Sequence, residues 1–301
     1  MFAWASEVLA CPLGRRHPNT VSPRDGSLLG RELSVHIAID DTYGPVGPNK
    51  SRYVTGARRT HVAVLFQDDE VEEVRHQLRS CLEFVGELLP HAPDEFHFVD
   101  VYNGYGCWAP LKVDGRNLRL IEAFCTIYAS YRWPVMVQTI DDRTFRDHGI
   151  EGFKGTLDGL DLSDRQDLSL FLLCLKIKKK FTDNTAPLTV IVDEGKKKSN
   201  RRFGRWLFRD RKRYSGYYAA SIQEPLLQIA DMMAFCINRV THLSLKEHRT
   251  ATDEEFLSMV TSMRIRSEDL SNIVLARDFT VEEIDRFHTM DRLRMGLEKP
   301  T

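Results

Sequence analysis

The sequence predicts an α/β fold: a mixed sheet with helices on both faces, followed by C-terminal helices. Three observations predict it. Short β-rich apolar runs such as SVHIAID, HVAVLF, PVMVQTI and LTVIVDE are bounded by turn residues. Longer stretches between the later runs carry apolar residues at helical spacing. The strands first come close together and then alternate with helices, an order that mixes antiparallel neighbours with crossovers.

Residues 1–33, punctuated by Pro, Gly and Arg, read as an irregular N-terminal extension. SVHIAID is a strand closing at Asp40, and the turn-rich DTYGPVGPNKSRYVTGARRT leads to a second strand, HVAVLF. A helix follows, capped by Asp68 or Asp69, with Val71, Val74, Leu78, Leu82, Val85 and Leu89 on one face. EFHFVDVY alternates as a strand. Residues 117–132 read as a helix through Leu118, Ile121, Phe124, Ile127 and Tyr128. PVMVQTI is a strand, residues 164–181 a helix ending in three lysines, and LTVIVDE a strand bounded by Pro187 and Gly195. A basic segment then leads to the helix PLLQIADMMAFCINR, and residues 252–264 and 280–296 predict further helices. No linker splits the chain, so residues 34–242 form one domain, and residues 243–301 a helical extension packed on it.

Composition restricts the function classes. Hydrophobic residues make up 42% and charged residues 28%, the balance of a soluble globular protein with ample core material. No run approaches the ~18 apolar residues of a membrane span, and the N-terminus is a poor signal peptide, which points to a cytoplasmic location without membrane attachment. Forty-two basic residues nearly cancel forty-three acidic ones, so any electrostatic argument must be local. The six cysteines form no CxxC pair, arguing against a disulfide framework and a zinc knuckle; Cys81, Cys125, Cys174 and Cys236 fall in apolar helical patterns as core residues.

Acids stand where α/β sheets gather ligands, at the carboxyl ends of strands. Asp40 and its neighbour Asp41 close the first strand, Asp193 and Glu194 close TVIVDE, and Glu95 and Asp100 bracket His97. Asp231 sits inside an otherwise apolar helix, where an ionised carboxylate needs a partner. Four chain-distant segments thus deliver carboxylates that repel one another unless a divalent cation intervenes. Plainer readings stand beside this one. Asp40 or Asp41 alone is an ordinary turn or cap residue, and His97 an ordinary strand histidine. Glu224, Gln228, Asp231, Asn238 and His242 share a helical stripe that could simply face solvent.

IAIDDTYG, EFHFVD, VIVDEG and PLLQIADMMAF, in that order, resemble the prokaryotic family catalogued as domain of unknown function 3800, related to ribonuclease H-like folds. The resemblance covers roughly residues 34–242. It implies a ribonuclease H-like mixed sheet and a site of Asp40, Glu95, His97, Asp193 and Asp231, with Gln228 in support. The first motif departs from the family's Asp-Glu-Ser-Gly: here it reads Asp40-Asp41-Thr42-Tyr43-Gly44, which moves the glycine one place along. The family's bacterial occurrence near mobile or defence genes implies a defence context with a protein partner.

The segment from Lys196 to Arg213 carries ten Lys or Arg against one Asp, with Phe203, Trp206 and Phe208 interleaved. Lys196, Lys197, Lys198, Arg201, Arg202, Arg205, Arg209, Arg211, Lys212 and Arg213 suit phosphates, and Trp206 suits an unpaired base. A solvated amphipathic element is the alternative. Together these readings lead to the expectation of a metal-dependent nuclease acting on DNA or RNA. Asp40, Asp193 and Asp231 would ligate Mg²⁺ or Mn²⁺, Glu95 would complete the site, and His97 would serve as general acid or base. The alternative is a nucleic-acid-binding or complex-forming protein that keeps the fold without turnover.

Overall fold

A computed structural model describes residues 34–45, 49–54, 57–143, 147, 154–195, 197, 199–269 and 278–297. Its centre is a five-stranded mixed sheet of β1 (Val35–Pro45), β2 (Ala57–Gln67), β3 (Val135–Ile140), β6 (Leu188–Asp193) and β7 (Tyr214–Ala219), in the order β3-β2-β1-β6-β7. Strand β2 runs antiparallel to both its neighbours, while β6 and β7 lie parallel to β1. A small hairpin, β4 (Thr156–Leu157) and β5 (Leu160–Asp161), stands apart.

Alternation along β1 decides what each face of the sheet packs against. Ala38, with Val62, Val64 and Phe66 of β2, belongs to a core shared with α1 (Asp68–Glu87), α4 (Arg116–Tyr131), α6 (Leu226–Ser244) and α7 (Ala251–Met263). Ile37 and Ile39, with Ala63, Leu65, Val190 and Val192, meet α5 (Arg165–Lys180) on the other face. Helices therefore cover both faces, as the sequence predicts. Cys81, Cys125, Cys174 and Cys236 are buried thiols. At the C-terminal end α8 (Val281–Arg294) docks on the 49–54 loop, where Ser51 Oγ donates to Asp285 at 2.6 Å and Tyr53 stacks on His288.

Two expectations need correction, and one strand lies where the sequence predicts none. Gln67, not Asp68 or Asp69, caps α1, through a reciprocal box with Glu70. EFHFVDVY is not a strand: its second half is the short helix α2 (Phe98–Asn103), ended by Gly104 in the left-handed region. Phe96 and Phe98 are both buried, which mimics strand alternation, but Phe98, Val101 and Tyr102 repeat at helical spacing. Phe96 packs against Trp108, beside α3 (Ala109–Val113), and both phenylalanines meet Phe124 edge-on at 4.8 and 4.9 Å, fixing the loop in front of α2. Finally, β7 has no strong sequence signal: YSGYYA is mostly tyrosine, with a glycine in its middle.

A candidate carboxylate site at the strand ends

Parallel pairing of β1 with β6 sets Ile39 opposite Val192, so Asp40 and Asp193 follow side by side on adjacent strands. Ala38 and Ile191 face the α6 core, and alternation puts Asp40 and Asp193 on that same face. Asp231, on α6, completes the group. The stripe that could have faced solvent faces the protein instead. Glu224 takes a buried ion pair from Arg75, Gln228 is 3% exposed, Asp231 accepts the Phe98 N–H at 2.8 Å, and Asn238 bonds Thr42.

The electrostatics of these three acids record their proximity. Burial pushes the Asp40 carboxyl well above its usual range, and Asp231, Asp193 and Asp41 push it further. Asp193 rises to about 6, chiefly by burial, against the Gly195 N–H that bonds it at 3.0 Å. Asp231 also rises to about 6 by burial; His97 and the Phe98 N–H pull it back, while Glu95 and Asp193 add to the rise. Among the described residues no Lys or Arg forms an ion pair with any of the three. Burial and the neighbouring acids therefore oppose ionising all three together, and among the described residues His97 supplies the positive field that acts on Asp231.

Glu95 and His97 come to the same place from the loop before α2. Glu95 is half-buried and accepts a hydrogen bond from Ser221 Oγ, and its field reaches both Asp193 and Asp231. His97 is exposed. Burial lowers its pKa, but Asp231, Asp100 (Nδ1 to Oδ2, 2.9 Å) and Glu95 outweigh that and hold it above the ordinary histidine range. Gln228, expected as helix support, braces this loop: its Oε1 accepts the Phe96 N–H and its Nε2 donates to Ser221 O, both at 3.1 Å. Ser221 was missed by sequence reasoning, because a lone serine in a loop carries no pattern.

Asp41 points to the opposite face, where Gln166 Nε2 donates to it at 2.9 Å and Arg59 lies 3.6 Å away. It lines a cleft of ≈ 240 Å³ at the start of α5 that Asp40, Asp193, Glu194, Asp164 and Asp167 also line. Asp40 and Asp41 thus leave β1 on opposite faces yet border the same cleft, and the field of Asp41 raises the pKa of both Asp40 and Asp193. Among the described residues, no group of three or more His, Cys, Asp or Glu side chains is placed to hold a metal ion.

The basic segment is more structural than its composition suggests. Phe203, Leu207 and Phe208 are buried on the α5 side, which removes both phenylalanines as stacking platforms. Backbone bonds from Asn200 to Tyr218 and from Phe203 to Gly216 lay the segment along the free edge of β7. Arg211 donates to the carbonyls of Phe181 and Ala186, and Lys197 to that of Gly159. Arg201, Arg202, Arg205, Arg209, Lys212 and Arg213 are exposed, as is Trp206 at 53%, with Arg209 4.2 Å above its ring. Lys196 and Lys198 lie outside the described residues. The segment's apolar anchors thus sit across the sheet from the three carboxylates.

Comparison with protein-family models, curated proteins and solved structures yields no match. Among the described residues, no helix is long and apolar enough to cross a membrane.

Proposed function

We propose that this chain is a metal-dependent phosphodiesterase, a nuclease on a ribonuclease H-like domain of the family it resembles. One observation carries the reading: Asp40, Asp193 and Asp231, from β1, β6 and α6, share one face, where Asp193 and Asp231 raise the pKa of Asp40 and Asp193 that of Asp231, and none has a Lys or Arg ion-pair partner among the described residues. A fold that tolerates that repulsion has room for a hard cation, and the donor set is the all-oxygen one that Mg²⁺ or Mn²⁺ prefers. The strand order β3-β2-β1-β6-β7, with β2 alone reversed, supports the ribonuclease H-like assignment.

Asp40, Asp193 and Asp231 would supply the oxygens; as they stand no three such side chains among the described residues are placed to hold a cation, so the acids would have to close on it, with waters filling the remaining positions. When bound, it would supply electrostatic stabilisation to the phosphoryl oxygens and acidify water. Glu95, held by Ser221, would orient that water. His97, kept protonated more than an ordinary histidine by Asp231 and Asp100, would donate a proton to the leaving oxygen. The Gln228 brace and the aromatic cluster hold these two side chains against the acids.

The test is cleavage of labelled single- and double-stranded DNA and RNA with Mg²⁺ or Mn²⁺, comparing the wild type with Asp193→Asn and Asp231→Asn. The reading expects cleavage that chelation abolishes and that each variant lowers by at least about 10²-fold, the scale of losing one electrostatic stabiliser. Undiminished cleavage in both variants would sink it. A second reading, binding without turnover, draws on the lack of an enclosing metal cage among the described residues. It predicts salt-sensitive binding and no cutting by any variant.

A further inference from the structure

We propose that Arg58, Arg239 and His242 form a phosphate-binding site beside the carboxylates, one that seats a backbone or terminal phosphate of the nucleic-acid substrate. The identity of the ligand as a nucleic acid rests on the nuclease reading; the affinity for phosphate does not.

Gly44 lies across β1–β2 from Arg58, in register. A Cβ at Gly44 would come within 2.6 Å of both Asn238 Oδ1 and His242 Nε2, so the missing side chain lets α6 press against the strand there. His242 and Arg58 are thus drawn to the same spot. Burial and then the fields of Arg58 and Arg239 lower the His242 pKa, which places all three groups within electrostatic reach.

The cationic groups are unusually short of partners. The buried Nη1 of Arg58 has no hydrogen bond, and the guanidinium makes none to any described residue, feeling only the field of Asp141. Arg239 is held by Tyr102, whose hydroxyl it reaches at 2.9 Å and over whose ring it lies, yet its Nε is buried and unpartnered. Asp253, 3.7 Å from Arg239, is already engaged by Lys246 at 2.8 Å and by the Thr250 N–H. Arg239 and His242 line a cleft of ≈ 920 Å³ into which Ser244, 2% exposed, presents a hydroxyl without a partner; Arg58 does not line it and lies behind His242, beside Gly44 on the strand. Of the three acids at its rim, Glu247 is engaged by Lys50 at 2.9 Å and Glu254 by Arg249 at 3.8 Å, while Glu282 acts on Lys50 through its field.

A buried guanidinium without an acceptor is costly, and the chemistry that relieves it is an oxyanion offering several acceptors at once. Phosphate is that group, and the position suits it. Eleven residues of α6 separate Asp231 from His242, about 16 Å along the axis. At a rise of ~3.4 Å per stacked nucleotide that is a few nucleotides of a strand passing the carboxylates. Thr42 and Asn238, joined at 3.2 Å, line the way between.

The experiment is titration of a 3′-labelled single-stranded 12-mer, followed by anisotropy in EDTA at several salt concentrations. Wild type, Arg58→Gln, His242→Gln and, as control, Arg79→Gln on the exposed face of α1 are compared, with inorganic pyrophosphate as competitor. Arg58→Gln is expected to weaken binding about ten- to a hundred-fold, the scale of a charge-assisted hydrogen bond. It should flatten the slope of log K against log salt by about 0.7 for each phosphate that is no longer neutralised. His242→Gln is expected to weaken binding less and to leave the slope unchanged, because burial and the two arginines keep the imidazole neutral, and Arg79→Gln to bind as wild type. Pyrophosphate should raise the melting temperature of the wild type but not of Arg58→Gln, which folds because the side chain it replaces makes no hydrogen bond to a described residue. Wild-type affinity and slope in both Arg58→Gln and His242→Gln would overturn the proposal, even if the protein cleaves nucleic acid. Pyrophosphate stabilisation that depends on Arg58, with no oligonucleotide binding, would uphold the phosphate site and remove the nuclease reading instead.

Discussion

Replacing Asp231 by Asn should make the protein more stable at neutral pH in the absence of divalent cations. Burial first, and the neighbouring Glu95 and Asp193 with it, raise the folded-state pKa of Asp231 to about 6 from 3.8. Between those two values the folded state binds the proton more tightly than the unfolded chain does, so stability falls as pH rises through the window. Above pH 6 the loss is complete. Two units at 1.36 kcal/mol each set a ceiling of about 3 kcal/mol, and coupling to His97 and Asp40 makes about 1–3 kcal/mol the working range. Asn removes the charge while keeping an oxygen for the Phe98 N–H, which Asp231 now accepts at 2.8 Å. The gain should be present at pH 7.5 and vanish by pH 4. At ~2–4 °C per kcal/mol for a chain of this size, calorimetry in EDTA should show a rise of several degrees at pH 7.5. Adding Mg²⁺ or Mn²⁺ should stabilise the wild type and leave the variant unmoved. An Asp231→Asn protein less stable than wild type by the same margin at pH 4 and pH 7.5 would show that Asp231 is a structural cap for α2, with no uncompensated charge to relieve.

Gln228→Leu leaves the Phe96 N–H and the Ser221 carbonyl unpaired, so urea denaturation should show a loss of about 2–3 kcal/mol, with the Glu95–His97 loop exchanging its amides faster. Arg75→Ala strands Glu224, whose side chain is 8% exposed, and should cost about 3–5 kcal/mol by the same measurement; an effect below about 1 kcal/mol would mean that Glu224 finds water. Gly216→Ala sets a Cβ against the Phe203 carbonyl and the Tyr214 hydroxyl, so it should destabilise by about 1–3 kcal/mol and increase proteolysis between residues 199 and 213. If Trp206 stacks on a base, Trp206→Ala should weaken single-strand binding by about 1–3 kcal/mol; unchanged binding would assign the exposed face of the segment no part in it.

The elements legible in the sequence were those whose periodicity has one solution. The apolar run SVHIAID, buried on both faces of the sheet, and the long apolar stripes of α1, α4 and α5, each with one buried face, fold as read. The segment before α2 was ambiguous because Phe96 and Phe98 are two residues apart and both buried, which a strand also gives. What decides for a helix is distant: Asp231 supplies the acceptor for the Phe98 N–H, across 133 residues of chain. The basic segment misled in the opposite way. Its charges dominate the composition, while the residues that fix its place are the buried Phe203, Leu207 and Phe208 between them.

The acids at the strand ends were visible one by one, but their grouping is a property of register. A shift of one residue between β1 and β6 would turn Asp193 to the face of Asp41 and Gln166 and leave Asp40 without its neighbour. The same alternation separates Asp40 from Asp41, which a linear reading places together. Asp40 faces α6 and the other acids; Asp41 faces α5 and is held by Gln166 and Arg59. Charge is then distributed along the α6 face with opposite signs at its two ends, acids around Asp231 and guanidinium groups short of acceptors near His242. On the nuclease reading, a phosphate chain with a divalent cation would neutralise both ends at once, the cation among the acids and a phosphate among the arginines, which ties the two proposals to one ligand.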